Sequence, residues 1–221
     1  MKIIVLSCSK NEELFAPFSH CLEKYYPNHP DVVYFTDGIM NPYYETISVV
    51  NKLETWTIGF REFLKQIDED YVLLMIDDCF IRKPVDWYRI SQALDIIKNE
   101  PNVACMNFEK SWDESDEPTE FEGWKKRKHG SRFEVSLMCG LWNKEKLLKV
   151  VDRDCSPWEI EENQDGKGFD YYINSGDYII DWGYRTFQHC NIVKGKWTME
   201  CKEFLESEGL KVDYNKKGFI E

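Results

Sequence analysis

Two adjacent carboxylates, Asp77 and Asp78, follow an unbroken apolar run, YVLLMI at 71–76. Like charges placed side by side repel each other unless a cation or strong hydrogen-bond donors compensate them. Oxygen ligands of this kind suit Mg²⁺ or Mn²⁺, and such ions bind one or two carboxylates together with substrate phosphates. The pair therefore predicts a site for Mg²⁺ or Mn²⁺. A plainer interpretation is equally open, in which one Asp caps the turn before Pro84 and the other is solvated.

Three more polar side chains follow apolar runs nearer the N-terminus. Ser7 and Ser9 close the run IIVLSCS at 3–9, and Asp37 comes shortly after VVYF at 32–35. In an open α/β sheet, ligands bind beyond the carboxyl ends of the strands, so residues at these ends share one crevice. We therefore expect these side chains to lie near the acidic pair.

Alternating strand and helix patterns must position these side chains. Four apolar runs have the length and composition of buried strands, at 3–9, 32–35, 71–76 and 103–108. Residues 54–66 repeat apolar side chains at helical spacing, and so does the stretch after Asp86, a predicted helix N-cap. This alternation predicts an α/β fold with a mainly parallel sheet and helices on its faces. Uniformly apolar strands fit the burial of such a sheet.

The second half of the chain is less regular. Residues 109–132 are first acidic and then basic without a clear period, which predicts a flexible loop. The remaining patterns predict a strand at 133–143, a short helix over KEKLLKVV, a helix start at SPWEIEEN and a late strand at 189–197.

Length and charge restrict the function. A chain of 221 residues suffices for one sizeable domain, and a second independent domain is not expected. The formal net charge of -12 opposes sequence-independent binding to nucleic acid or to an anionic membrane surface. The apolar run at the N-terminus is too short for a signal peptide, and no stretch has the length of a membrane span. The eight cysteines lack zinc-ligand spacing, so we expect a cytoplasmic protein with free thiols.

These residues resemble a known family. Strands that close in Ser7-Cys8-Ser9, Thr36-Asp37 and Asp77-Asp78 resemble the nucleotide-sugar half of GT-A fold glycosyltransferases. The segment ETWTIGFREFLKQIDEDYVLLMIDDCFIRKPVD is similar to a group of small bacterial and viral glycosyltransferases of this fold, as are SPWEIE and KGKW further on. The resemblance covers most of residues 1–200. It implies one mixed, mainly parallel GT-A domain over 1–221, with a nucleotide-sugar half at 1–108, a loop at 109–132 and an acceptor half at 133–221.

The resemblance implies an enzyme, a hexosyltransferase that moves a sugar from a nucleotide sugar, most simply a UDP-sugar, to a saccharide hydroxyl. The usual metal motif of the fold is Asp-X-Asp, whereas this strand reads Ile76-Asp77-Asp78. Asp78 is then the direct metal ligand, and Asp77 contacts the ribose or holds a coordinated water. A late histidine, His189, would complete the metal shell.

The remaining donor contacts follow from the same resemblance. Ser7, Ser9 and Asp37 would contact the base and the ribose, and Arg61 would reach the donor from its helix. Lys194 and Lys196 would neutralise the diphosphate leaving group. Each cation also has a plain structural interpretation, as a solvated charge on a helix or strand.

A carboxylate base is expected near SPWEIE. Ser156, Pro157 and Glu159 have the spacing of a capping box, which stabilises a helix start whatever the protein does. Inverting glycosyl transfer needs a carboxylate that takes the proton from the attacking hydroxyl. The order of the motif favours Glu159 as this base, and the capping box leaves Glu161 as the free carboxylate.

Three other functions stay open. A metal-dependent nucleotidyltransferase is disfavoured because no glycine-rich phosphate loop follows the first strand. In a non-catalytic module that binds a sugar or a nucleotide, the acidic pair would have only a structural role. The basic run KKRKHGSR favours a phosphate-bearing acceptor or glycosylation of nucleic-acid bases, although the acidity of the whole chain opposes nucleic acid.

Overall fold

The computed structural model describes residues 1–49, 55–163, 166–183 and 191–220. Its centre is a mixed sheet of nine strands from the described residues: β1 Lys2–Leu6, β2 Val32–Thr36, β3 Glu45–Ser48, β4 Tyr71–Ile76, β5 Val103–Lys110, β6 Glu117–Pro118, β7 Trp124–Lys126, β8 Gly140–Asn143 and β9 Asp170–Asn174. The strands lie in the order β3-β2-β1-β4-β8-β5-β9-β7-β6.

Strand direction decides which polar ends meet. β3, β2, β1 and β4 are parallel neighbours. β8 runs antiparallel between β4 and β5, and β9 lies parallel to β5. The carboxyl ends of β1, β2, β4 and β5 therefore share one edge of the sheet. The predicted α/β fold with a mainly parallel sheet is confirmed.

Helices cover both faces of this sheet: α1 Phe15–Tyr25, α2 Trp56–Leu64, α3 Trp87–Asn99, α4 Lys144–Val150, α5 Pro157–Glu162 and α6 Met199–Ser207. Apolar residues of α1, α3 and α6 join one buried cluster, and those of α2, α4 and α5 join the other. This separation follows from the alternation of strand side chains between the two faces of a sheet. None of the described helices combines the length and apolar composition needed to cross a membrane.

Several predicted elements match the structure closely. The run at 71–76 is β4, and Asp86 caps α3 by accepting a hydrogen bond from the Arg89 backbone N–H at 3.1 Å. The helix predicted at 54–66 is α2, although residue 54 lies outside the described residues.

Three predicted elements need correction. The range 109–132 is not one structureless loop, because it contains the end of β5 together with β6 and β7. In the range 133–143, Phe133 has a left-handed φ of 60°, and only Gly140–Asn143 forms a strand. The late strand is instead a hairpin of β10 Ile192–Val193 and β11 Lys196–Trp197, because the turn between them has positive φ at both residues.

Part of the basic run at 125–132 contacts carboxylates within the protein. Lys126 contacts Asp170 at 2.7 Å, and His129 contacts the buried carboxylate of Glu134 at 2.6 Å. These contacts fasten the run to β9 and to its own turn. They favour a structural role for the run over recognition of a polyanion.

Candidate functional site

Asp77 lies at the carboxyl edge of the sheet and is 1% exposed. The Ser7 hydroxyl donates to Oδ2 at 2.5 Å, and Asn11 Nδ2 donates to Oδ1 at 3.0 Å. Ser7 directly follows β1, and Asn11 lies in the short 3-10 helix Ser9–Leu14. Burial and the neighbouring charge of Asp78 raise the pKa of Asp77 to about 8 despite both hydrogen bonds. Both oxygens of Asp77 are thus engaged within the protein.

Asp78 is partly exposed and has a different surrounding. Among the described residues, the side chain that donates to its carboxylate is the Cys79 thiol, at 3.8 Å. Its backbone oxygen accepts a hydrogen bond from Asn191 Nδ2 at 2.6 Å, which fixes the turn after β4. Burial raises the pKa of Asp78 to about 6. The carboxylate of Asp78 is therefore better placed than that of Asp77 to accept a ligand.

A lysine near the C-terminus reaches this edge of the sheet. Lys217 Nζ donates to Asn11 Oδ1 and to the Lys10 backbone oxygen, each at 2.8 Å, and lies 3.3 Å from Glu13. Its charge also lowers the pKa of Asp77, which places the ammonium within electrostatic reach of the acidic pair. No sequence pattern singles out Lys217, because only the folded C-terminal segment brings it here.

Ser9 and Asp37, which were both predicted as donor contacts, join the ends of β1 and β2 through hydrogen bonds. The Ser9 backbone N–H donates to Asp37 Oδ1 at 2.5 Å, and its hydroxyl donates to Oδ2 at 3.3 Å. The contact is exposed to solvent, so the carboxylate stays accessible at its rim. The structure therefore brings Ser7 to Asp77 and Ser9 to Asp37 along one edge, as expected for strand ends of a parallel sheet.

The other predicted cations lie elsewhere. Arg61 donates to the Val151 backbone oxygen at 2.7 Å and to Asp154 Oδ1 at 2.6 Å, and so holds the loop between α4 and α5. Lys194 and Lys196 are exposed on the β10–β11 hairpin. No contact among the described residues links these three cations to the acidic pair. His189 lies outside the described residues.

The two candidate bases on α5 have different environments. Glu159 is exposed, and its Oε2 accepts from the Ser156 backbone N–H and hydroxyl, both at 2.8 Å, in a complete capping box. These hydrogen bonds lower the pKa of Glu159. Glu161 Oε1 accepts the Leu137 backbone N–H at 2.7 Å, yet burial raises its pKa to about 7. A base that works near neutral pH needs such a pKa, so the geometry favours Glu161.

A second partly buried carboxylate, Glu109, lies close to Glu161. The Ser136 hydroxyl donates to Glu109 Oε2 at 3.2 Å and lies 3.5 Å from Glu161 Oε1. Burial raises the pKa of Glu109, and the charge of Glu109 in turn raises that of Glu161. The sequence did contain a signal for Glu109, since it directly follows the predicted strand at 103–108.

The residues present are compatible with a divalent cation held mainly by a substrate. Across residues 1–49, 55–163, 166–183 and 191–220, no three His, Cys, Asp or Glu side chains are grouped so as to hold an ion. Asp78 offers one accessible carboxylate beside a second buried acid. Mg²⁺ and Mn²⁺ accept one or two carboxylates when substrate phosphates and water complete the shell.

No protein family recognised by sequence profile matches the chain, and no curated protein matches its sequence. Solved structures do match. A CMP:2-keto-3-deoxy-manno-octonic acid synthetase complexed with CTP has a TM-score of 0.54 and 14% identity, covering 94% of this chain and 98% of that one. S. aureus TarS has a TM-score of 0.47 and 15% identity, covering 80% and 59%. The galactosyltransferase LgtC, solved with donor and acceptor sugar analogs, has a TM-score of 0.42 and 13% identity, covering 67% and 60%.

The chain spans half to three fifths of several matched structures, including 50% of the bifunctional IspDF from Campylobacter jejuni. At these identities the likeness concerns the fold alone, and the synthetase carries it over nearly the full length of both chains. The matched structures include a galactosyltransferase and a cytidylyltransferase, and the synthetase supports the predicted α/β fold.

Proposed function

We propose that this protein is a glycosyltransferase that moves a sugar from a nucleoside diphosphate sugar to a hydroxyl of a saccharide. The observation that carries the proposal is the division of one sheet edge into two acidic regions. Asp77 and Asp78 lie beyond β4, whereas Glu161, with a pKa of about 7, lies near Glu109 at the end of β5. Glycosyl transfer requires this pair of environments, one for the diphosphate and one for the attacking hydroxyl.

The donor would lie across the ends of β1, β2 and β4. Asp37 is accessible to ribose hydroxyls. Asp77 accepts a hydrogen bond from the Ser7 hydroxyl and so holds the end of β1 in place. Lys217 offers a positive charge to the diphosphate, together with a divalent cation held by Asp78. That cation, when bound, would neutralise the charge that builds on the leaving group. A UDP-sugar is the donor we expect, with Lys194, Lys196 and His189 as further donor or metal contacts to be tested.

The transfer step follows from the position of Glu161. Its carboxylate takes the proton from the acceptor hydroxyl while that oxygen forms a bond to the anomeric carbon. The bond from this carbon to the diphosphate breaks, and its electron pair leaves with the nucleoside diphosphate. A single displacement of this kind inverts the anomeric configuration.

A nucleotidyltransferase is the second candidate, because the synthetase complexed with CTP has the highest TM-score among the three structures described above. Such an enzyme would release pyrophosphate from a nucleoside triphosphate. The turn after β1 reads Ser7-Cys8-Ser9-Lys10-Asn11 and has no glycine to let the backbone wrap around a triphosphate. This composition favours the glycosyltransferase.

Product analysis separates the two. The chain is first screened for thermal stabilisation by nucleotide sugars and by nucleoside triphosphates, each with and without Mn²⁺. The stabilising compound is then incubated with a saccharide mixture. Release of nucleoside diphosphate with a new glycoside supports the proposal, whereas release of pyrophosphate assigns the nucleotidyltransferase. Neither product, in the presence of a stabilising nucleotide, supports a non-catalytic module.

A further inference from the structure

A groove between two helices lies at the opposite end of β1 from the proposed donor site. It is lined by the end of α1 and the start of α3, and the Val85 backbone N–H donates to the Tyr25 backbone oxygen at 2.9 Å beside it. Met1, which directly precedes β1, also lines the groove. Since Ser7 follows the other end of the same strand, the groove is separate from the donor site.

This groove is large enough for a small ligand, and its side chains are uncharged. Its volume is about 530 Å³, within the range of roughly 300–1,000 Å³ that is typical of ligand pockets. The aromatic rings of Tyr25, Tyr26 and Trp87 line it, and none of the described lining side chains carries a formal charge. A charged ligand would lose water here without gaining an oppositely charged side chain, so a neutral ligand fits better.

One hydroxyl in the groove has no partner. Tyr26 is 7% exposed, and its hydroxyl forms no hydrogen bond with the residues that the structure describes. This hydroxyl is not fully enclosed, so a ligand in the groove can reach it. A hydrocarbon ligand that covered it would leave a buried polar group unsatisfied, which costs free energy. The ligand that fits therefore brings hydrogen-bonding groups of its own.

Two further polar side chains lie in the lining. Asn28 is exposed, and the Ser91 hydroxyl donates to the Trp87 backbone oxygen at 3.1 Å, which leaves its own oxygen free to accept. Aromatic faces beside hydroxyl and amide groups suit the C–H face and the hydroxyls of a pyranose ring. A second copy of the chain fits less well, because two copies with a formal net charge of -12 each repel one another.

We propose that this groove binds a neutral saccharide, at a site separate from the proposed catalytic edge. The sugar ring lies against Trp87, which is 64% exposed, and its hydroxyls bond with the side chains of Tyr26, Asn28 and Ser91. The choice of a saccharide among neutral ligands rich in hydroxyls rests on the proposed function. A site of this kind holds one part of an extended acceptor while another part reaches Glu161.

A titration of the full chain without any nucleotide sugar tests the proposal. The ¹⁵N-labelled protein is titrated with maltotriose, cellotriose and chitotriose, and separately with hexanol as an apolar probe. Trp87→Phe identifies the indole N–H signal of Trp87. We expect at least one trisaccharide to shift this signal saturably, and Tyr26→Phe to weaken that binding about fivefold. If none of the three trisaccharides shifts the signal, the proposal is overturned.

Matched variants complete the test. Tyr172→Phe is the control for Tyr26→Phe, because Tyr172 is 6% exposed and lies on β9, four strands from β1 in the sheet. Trp87→Ala is expected to weaken saccharide binding about fivefold, and Trp112→Ala, which removes an equally exposed ring just after β5, to leave it unchanged.

Three results would overturn the neutral saccharide. One is saccharide binding that Tyr26→Phe does not weaken, and another is hexanol binding tighter than that of every trisaccharide. The third is a dimer in analytical ultracentrifugation that Trp87→Ala dissociates, because a second copy then covers the groove.

The outcome is independent of catalysis. Asp78→Ala and Glu161→Gln are expected to leave saccharide affinity at the groove unchanged, since both residues lie near the carboxyl ends of strands. Saccharide binding without transfer from any nucleotide sugar keeps the groove and rejects the transferase. Transfer without a shift of the Trp87 signal keeps the transferase and rejects the groove.

Discussion

Asp77 is buried and Glu161 is partly exposed, and both have raised pKa values, but their partners differ. Asp77 accepts two side-chain hydrogen bonds, from Ser7 at 2.5 Å and from Asn11 at 3.0 Å. Among the described residues, Glu161 accepts one backbone N–H at 2.7 Å and has a marginal contact with Ser136 at 3.5 Å. A carboxyl with satisfied oxygens supports its neighbours, whereas one with a free oxygen and a pKa near neutrality is suited to move protons. The comparison therefore assigns a structural role to the region around Asp77 and proton transfer to the region around Glu161.

The largest effect is expected at Glu161. Glu161→Gln is predicted to lower turnover about 1000-fold, because the amide cannot accept the proton of the acceptor hydroxyl. The fold stays intact because the amide oxygen still accepts the Leu137 N–H. In the unmodified protein, kcat/KM rises with pH through about 7, as the base loses its proton, and steady-state kinetics across pH measure this.

The matched control is Glu162→Gln, since Glu162 is exposed on the same helix. We expect this variant to keep its turnover and pH profile. If Glu161→Gln remained active with the same rise near pH 7, the base would lie elsewhere, and Glu109 would be the next residue to replace.

The free energy of unfolding is expected to rank the two regions in the opposite order, with the larger loss in the region around Asp77 and the smaller loss in the region around Glu161. Ser7→Ala removes the short hydrogen bond to Asp77 and is predicted to lower the free energy of unfolding by about 1–3 kcal/mol. Ser136→Ala is predicted to cost less than about 1 kcal/mol, because the hydroxyl contacts with Glu109, Met138 and Glu161, at 3.2, 3.3 and 3.5 Å, are all long for hydrogen bonds. Urea denaturation of both variants gives the two values. An equal or reversed cost would abolish the distinction between the regions.

The two regions also differ in how far the sequence predicts them. Ser7, Asp37 and Asp77 each follow an apolar strand of a parallel sheet, so strand direction alone places them at one edge. The acceptor side gathers residues 109, 136 and 161 from separate segments. Their approach depends on the antiparallel insertion of β8 and on the left-handed turn at Phe133, which no periodicity revealed.

The candidate cations illustrate the same limit. Arg61 was predicted from its motif to reach the donor, but its guanidinium holds the loop that leads into α5. Lys217 lies near the acidic pair because the chain after α6 returns to the first strands. A lysine offers no spacing signal of its own, since its long side chain reaches whatever the fold brings near. Cations were therefore the least predictable part of the site.

The smallest effect is expected at Glu159. Glu159→Ala removes half of the capping box of α5 and is predicted to lower the free energy of unfolding by about 0.5–1 kcal/mol. Turnover stays within about twofold at temperatures where the protein is folded, because this exposed carboxylate has no part in proton transfer. Thermal denaturation and steady-state kinetics measure both quantities. A loss of turnover as large as that of Glu161→Gln would restore Glu159 as the base.

The central claim is that Asp78 and the neighbouring strand ends bind a nucleoside diphosphate together with a divalent cation. Isothermal titration of UDP, with and without Mn²⁺, tests this on the unmodified chain, on Asp78→Ala and on the control Asp95→Ala, whose exposed carboxylate lies on α3. The account predicts that Mn²⁺ tightens UDP binding about tenfold or more, and that only Asp78→Ala abolishes this gain. UDP binding that Mn²⁺ does not affect, or a gain that persists in Asp78→Ala, would contradict it.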